Sequence, residues 1–167
     1  MSKRSTVTVR EQPVASQSSV TGAFRVHSES FAVNTEDRIH IVDLTPQVMA
    51  LVRQIGIAEG LAHVFSMHTT CTVFINEFQQ ALLADIHDFL ESIVARDAKW
   101  HHNDPQQSDC DRMNADSHLR ALLLGHELTL QVSGGEVVLG QWQRILLAEL
   151  DGPRARTLRL QVMGTSK

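Results

Sequence analysis

The spacing of apolar positions changes period several times along the chain. Val20 to Val33 is largely β-compatible, with Phe24, Val26 and Phe31 supplying apolar contacts. The alternation in Arg38-Ile39-His40-Ile41-Val42-Asp43 begins a second strand after a turn at Asn34-Thr35-Glu36-Asp37. A helical period then takes over. Thr45-Pro46 offers an N-cap residue followed by proline at the first helical position, Val48, Leu51, Val52 and Ile55 recur at helical spacing, and Gly56 or Gly60 ends the element. The run from Leu61 to Ile75 is β-rich, and Ala81 to Ala95 places Leu82, Leu83, Ile86, Phe89, Leu90, Ile93 and Val94 on one helical stripe.

Met113 to Leu124 reads as a short helix closed by Gly125. Leu128 to Val132 and Leu158 to Val162 alternate, and Gly134-Gly135 marks a turn between strands. Trp142 to Leu150 is apolar enough to be buried on both faces, and Asp151-Gly152-Pro153-Arg154 has turn chemistry before the last strand. The pattern predicts an α+β fold with a mostly antiparallel sheet, few helices and no internal repeat.

Composition narrows this picture. A chain of 167 residues, 43% hydrophobic and 20% charged, suits one core and is too short for two ordinary domains. Residues 20–167 read as a single domain, preceded by a flexible arm at 1–19 that is rich in Ser, Thr, Gln and charge. The net charge of -4 and pI near 6.1 supply no basic field for nucleic acid or an anionic membrane surface. No apolar run approaches a membrane span, and the first twenty residues lack the apolar middle of a secretory signal, so the expectation is a cytoplasmic protein without nucleic-acid or membrane partners. The two cysteines, Cys71 in an apolar strand and Cys110 in a polar loop, form neither a disulfide framework nor a zinc-ribbon spacing. Reduced thiols are expected.

The candidate chemistry gathers in three places: His68-Thr69-Thr70, the stretch from Trp100 to His118, and Gly140-Gln141-Trp142-Gln143. His68 can present a ring nitrogen and two neighbouring hydroxyls to a pocket, or be a core histidine satisfied by backbone. His118 shares a helical face with Asn114, which fits either a site or a local hydrogen bond. His102 lies in the polar His101-His102-Asn103-Asp104 and could equally be solvated. Three imidazoles with an open position suit zinc or a related divalent ion, with Asn103, Asp104 or Glu77 orienting them. The same histidines with hydroxyls and arginines would bind phosphate without metal.

Arg154 and Arg156 would share one strand face and could take phosphate bidentately, or pair with Asp151 and Glu149. Glu149 sits in an apolar strand, where a carboxylate requires a partner. Glu77 can cap a helix or act as an acid or base. Cys71 reads as buried and structural, because a strand running from His68 would send the two side chains to opposite faces. Gly134-Gly135 does not resemble a nucleotide-binding loop.

Taken in order, His68-Thr69-Thr70 with Ile75-Asn76-Glu77, Trp100-His101-His102-Asn103-Asp104, Asn114-Ala115-Asp116-Ser117-His118-Leu119, Leu139-Gly140-Gln141-Trp142-Gln143 and Glu149-Leu150-Asp151-Gly152-Pro153-Arg154-Ala155-Arg156 resemble the successive motifs of the YjbQ-type family. The resemblance runs from about His68 to Gly164, and more loosely from Val20. It implies a compact α+β fold with a mixed, mostly antiparallel, barrel-like sheet. It also implies a homotrimer with a site near subunit boundaries, and a secondary thiamine-phosphate synthase activity. In that reading His68, His102 and His118 hold a divalent metal (zinc or magnesium) or contact phosphate and serve catalysis with Glu77. Thr69, Thr70, Asn114, Gln143, Arg154 and Arg156 contact a phosphorylated small-molecule substrate. Trp142 and Glu149 also fall on recurring motif positions. Where the resemblance allows an aspartate directly after the histidine matching His102, this chain has Asn103 and then Asp104, so an orienting carboxylate would have to come from Asp104 or be absent. Metal-assisted phosphate-ester hydrolysis and non-catalytic binding of a metal or small metabolite are the competing readings.

Overall fold

The computed structural model describes residues 4–166 apart from 9, 12, 13, 16 and 18. In chain order the elements are β1 (Phe24–Asn34), β2 (His40–Asp43), α1 (Thr45–Ile55), β3 (Glu59–Ser66), β4 (Cys71–Asn76), α2 (Gln80–Ile93), α3 (Ala115–Leu124), β5 (Glu127–Ser133), β6 (Glu136–Val137), β7 (Arg144–Glu149) and β8 (Ala155–Thr165). A single 3₁₀ turn, His101–Asn103, lies between α2 and α3.

The strands form a five-stranded sheet, β1-β8-β3-β5-β6, and a three-stranded sheet, β2-β7-β4. Together they curl into an antiparallel half-barrel. Every strand pairing among the described residues is antiparallel, where the resemblance allowed a mixed sheet.

The three-stranded sheet is the middle layer. One face sends Cys71, Val73, Ile145 and Leu147 into a core shared with the five-stranded sheet and with Val48, Met49 and Val52 of α1. The other sends Phe74, Leu146 and Ala148 against Leu90 of α2 and Ala121 of α3. That sandwiching explains why every residue of β7 is buried. Burial on α2 is narrower than the apolar stripe, for Phe89 is 60% and Ile93 50% exposed.

Several local expectations need correction. Leu61 to Ile75 is two strands, β3 and β4, with His68 in the connection between them. The opposite-face argument for His68 and Cys71 therefore does not apply. Cys71 is nonetheless fully buried, and burial pushes its thiol up to about 11. Thr45 does not cap α1. The N-cap is Leu44, the Thr45 N–H goes to Asp43 Oδ1 (2.9 Å), and the Thr45 hydroxyl accepts from the Ile145 N–H of β7 (2.8 Å). Gly56 ends α1 in the left-handed conformation, φ 75°. Gly60 instead lies in β3, where a Cβ would stand 2.0 Å from the Met163 carbonyl oxygen of β8.

The expectation of a flexible arm falls partly outside the described residues. Of those described, Thr6 N–H donates to Phe78 O (3.2 Å), Thr8 N–H to Gln141 O (3.0 Å), and Arg10 to the carbonyls of Ser133 and Val137 (both 2.7 Å). No helix among the described residues is long and apolar enough to cross a membrane.

Candidate functional site

One end of the β4-β7 pair carries the candidate chemistry. There the β3-β4 connection presents His68, Thr69 and Thr70, the turn before β8 presents Arg154, and the first residues of β8 present Arg156. The 3₁₀ turn and α3 add His102, Asn114 and His118 from the opposite side. All eight line one cavity of about 450 Å³. Residues far apart in the chain thus share one cavity.

His68 is held by an extension of the sheet. The β3-β8 ladder runs as far as Ser66 and Leu158. One residue further, the Thr157 N–H finds His68 Nε2 at 2.9 Å instead of a strand carbonyl. An imidazole that accepts there is the neutral tautomer with its proton on Nδ1. On α3, His118 meets His102 edge to face, with ring centroids 5.0 Å apart.

Burial, followed by the positive field of Arg156, lowers the pKa of His68; burial, followed by His102, lowers that of His118. Both groups are thus expected to be neutral at pH 7. A histidine whose folded pKa is depressed contributes stability that is fully present above the ordinary value of 6.5 and is lost as pH falls toward the lowered folded value. Urea unfolding from pH 8 down to pH 5 should therefore show decreasing stability below about 6.5, and the double variant His68→Gln/His118→Gln should flatten that slope. A slope that persists in the double variant would assign the titration to other groups.

The arginines are organised by two carboxylates. Glu149 is fully buried and receives Nε and Nη2 of Arg156 as a bidentate pair, together with Asp151 N–H (2.8 Å) and the Thr35 hydroxyl (3.2 Å). Arg156 Nη2 also reaches Thr70 Oγ1 at 3.0 Å, which fixes that hydroxyl at the cavity wall. Asp151 Oδ2 accepts from Arg112 Nε (2.8 Å), Asn114 Nδ2 (2.9 Å) and Arg154 Nη2 (3.3 Å). Burial pushes the Asp151 carboxyl up, yet the hydrogen bonds from Arg112 and Asn114 prevail and hold it below the usual range.

Three arginines against two carboxylates leave a formal surplus of one positive charge around the cavity. Arg156 is 2% exposed and occupied with Glu149, whereas Arg154 and Arg112 are 33% and 48% exposed. The last two are the forks available to an incoming anion.

Two expected site residues lie elsewhere. Glu77 and Gln143 stand just past the other ends of β4 and β7, where Asn76 pairs with Arg144. Six strand residues at about 3.3 Å each put that end roughly 17–20 Å from the cavity. Glu77 accepts the Ser5 hydroxyl. It does not cap α2, whose first turn is capped by the Gln79 side chain. Gln143 Oε1 accepts the Gly140 N–H at 2.8 Å and closes its own turn.

Neither Asn103 nor Asp104 orients a histidine. Asn103 Oδ1 accepts the Ala115 N–H at the start of α3 (2.9 Å), and Asp104 accepts from Gln106 and Gln107. Arg112, Asp151 and Cys110 line the cavity and were not singled out for it from the sequence. For Asp151 the signal was available in its turn position beside Arg154. Arg112 is held at the cavity by Asp151, and Met113 beside it has φ 51°, the one positive φ outside glycine among the described residues.

Among the described residues the candidate donors are not grouped as a ready metal site. His68 Nε2 is occupied by a backbone N–H. No group of three or more His, Cys, Asp or Glu among the described residues is arranged to hold a metal ion. The arrangement suits an anion, with two exposed arginine forks, hydroxyls at Thr69 and Thr70, and two imidazoles opposite.

Comparison with known proteins is consistent over most of the chain. A family model described as UPF0047 protein YjbQ-like matches residues 29–165. A UPF0047 protein of Methanothermobacter thermautotrophicus is 42% identical over 139 residues, covering 83% of this chain and 93% of its own. The structure of a YbjQ-like protein of unknown function from Sulfolobus solfataricus P2 matches with a TM-score of 0.79 and 33% identity, covering 85% of this chain and 99% of that one. A hypothetical protein of Aeropyrum pernix K1 matches at 0.75 and 36% identity, covering 83% and 98%.

Proposed function

From the premise that the chain belongs to the YjbQ-like UPF0047 family, we propose that the histidine-arginine cavity binds a phosphorylated small molecule and supports alkyl transfer of the thiamine-phosphate synthase type. The observation carrying this reading is the convergence of His68, His102, His118, Arg154 and Arg156 on one cavity with a surplus positive charge. In the reaction, the ring nitrogen of a thiazole phosphate attacks the methylene of an aminopyrimidine-methyl diphosphate. A C–N bond forms as the C–O bond breaks, and diphosphate leaves with the electron pair. The chain's contribution would be placement and charge. Arg154 and Arg112 would take the phosphate oxygens, and Thr69, Thr70 and Asn114 would add neutral hydrogen bonds. Arg156 would act from behind by fixing Thr70 and Glu149.

Assembly as a homotrimer belongs to the same proposal. Glu77 and Gln143 cannot reach this chain's own cavity from the far end of β4 and β7, so a role in the chemistry would require a site on a neighbouring copy.

The decisive assay follows diphosphate. Release only when the thiazole phosphate is also present supports the synthase, and release from the diphosphate substrate alone supports a hydrolase. Tight binding without turnover supports a binding protein. In all three cases Arg154→Ala should weaken inorganic phosphate binding by about 10-fold or more, the loss expected for one charge-assisted contact. Unchanged affinity by calorimetry would remove Arg154 from the site.

A further inference from the structure

A second cavity, of about 340 Å³, meets the first at His102 and His118, the two residues that line both. Its other walls are Trp100, His101, Ala115 and Leu119. Among the described residues no Asp, Glu, Lys or Arg lines it, in contrast to the three arginines and the aspartate next door. The histidine pair therefore stands at the junction of a cationic compartment and an apolar one.

The apolar compartment is built from rigid parts. Ala115, His118 and Leu119 follow i, i+3, i+4 and occupy one face of α3, and the short side chain of Ala115 leaves room in front of the indole. Trp100 is pinned by its Nε1–H, which donates to the Ala95 carbonyl at 2.9 Å. The His102 and His118 rings lock edge to face. An aromatic wall fixed in this way loses little freedom when a flat group packs on it.

We infer that this second cavity is the subsite for an aromatic or apolar body of the same ligand, so that the protein takes an anionic molecule carrying a flat apolar group rather than a bare phosphate. The inference rests on the phosphate reading of the first cavity and adds to it the place where the ligand's flat body packs. The anionic end sits among Arg112, Arg154, Thr69 and Thr70. The flat body lies between Trp100 and Leu119. The bond joining the two passes His102 and His118, whose imidazoles can donate to or accept from a linking oxygen or nitrogen.

Calorimetry with methyl phosphate and phenyl phosphate tests this on the full chain. Phenyl phosphate should bind about tenfold or more tightly, the gain expected when a phenyl face leaves water. Trp100→Ala and, separately, Leu119→Ala should each cut that advantage while leaving methyl phosphate within about twofold of the parent. Leu119→Ala keeps a good helix former and makes no demand on the Trp100 anchor, so it reads the subsite even if Trp100→Ala disturbs the loop. Equal affinities for the two probes, or an advantage that survives both substitutions, would overturn the apolar subsite and leave the phosphate site standing. Failure of both probes to bind would overturn the phosphate reading and the subsite together.

Discussion

Arg156→Ala is expected to lower the unfolding free energy by about 3–5 kcal/mol, the cost of leaving one member of a buried ion pair uncompensated. The side chains of Arg156 and Glu149 are 2% and 0% exposed, so solvent does not screen the remaining carboxylate. Glu149 would keep the Asp151 N–H and the Thr35 hydroxyl, but two neutral hydrogen bonds do not replace a bidentate guanidinium. The double variant Arg156→Met/Glu149→Leu should recover much of the loss, since removing both charges also removes their desolvation cost. Urea unfolding of the parent, both singles and the double measures this directly. A single variant costing less than about 1 kcal/mol would mean that water or a neighbouring group compensates Glu149.

Asp116→Ala is the second large effect, at about 3 kcal/mol. Asp116 lies in the first turn of α3 and is fully buried. Its Oδ1 accepts from Arg38 Nη2 at 3.1 Å, and its Oδ2 lies 3.9 Å from Arg120 Nη1. Arg120 is itself 1% exposed and otherwise held by the Val94 carbonyl and by Glu91. Glu91 is 42% exposed and makes a weaker counter-charge. The loss should extend to the cavity, because the Arg38 carbonyl accepts the Gly152 N–H (3.0 Å) in the turn that carries Arg154. Thermal unfolding together with phosphate titration separates the two consequences. A destabilised Asp116→Ala with unchanged phosphate affinity would confine Asp116 to folding.

What could be read in the sequence was local or periodic. The Gly56 and Gly125 helix ends, the Gly134-Gly135 turn and the burial of the strand around Ile145 to Glu149 depend on neighbouring residues or on composition within one element. Thr45 shows the limit. Its hydroxyl suits an N-cap, but the Ile145 N–H, a hundred residues away, claims it. Phe89 and Ile93 show another, since periodicity marks an apolar stripe without setting how much of it a neighbour covers.

The site divides along the same line. His68, Thr69, Thr70, His102, Asn114, His118, Arg154 and Arg156 share a cavity. Glu77 and Gln143, drawn from the same run of motifs, do not, because β4 separates His68–Thr70 from Glu77 and β7 separates Gln143 from Arg154, and an unbroken β-rich run from Leu61 to Ile75 does not show where β4 begins. The pairing of Arg154 with Asp151 and of Arg156 with Glu149 was open as an alternative to ligand binding. Both pairings are present, and they leave Arg154 one-third exposed while Arg156 is buried.

The position of β8 has a dynamic consequence. It is hydrogen-bonded to β1 over its whole length, from Ala155 against Asn34 to Thr165 against Phe24, and to β3 over most of it. Amides held on both sides exchange with solvent only when much of the fold opens. Arg156 and Thr157 extend from the doubly paired part of β8, still held by β1, and the bond from Thr157 to His68 ties the cavity floor to that strand. The facing wall, from His102 to Asn114, hangs on one 3₁₀ turn and a loop. Amides of the loop that carries Cys110 and Arg112, outside any strand ladder, are therefore expected to exchange with solvent before those of β8, while the Trp100 and His102 contacts hold the end of that wall next to α3.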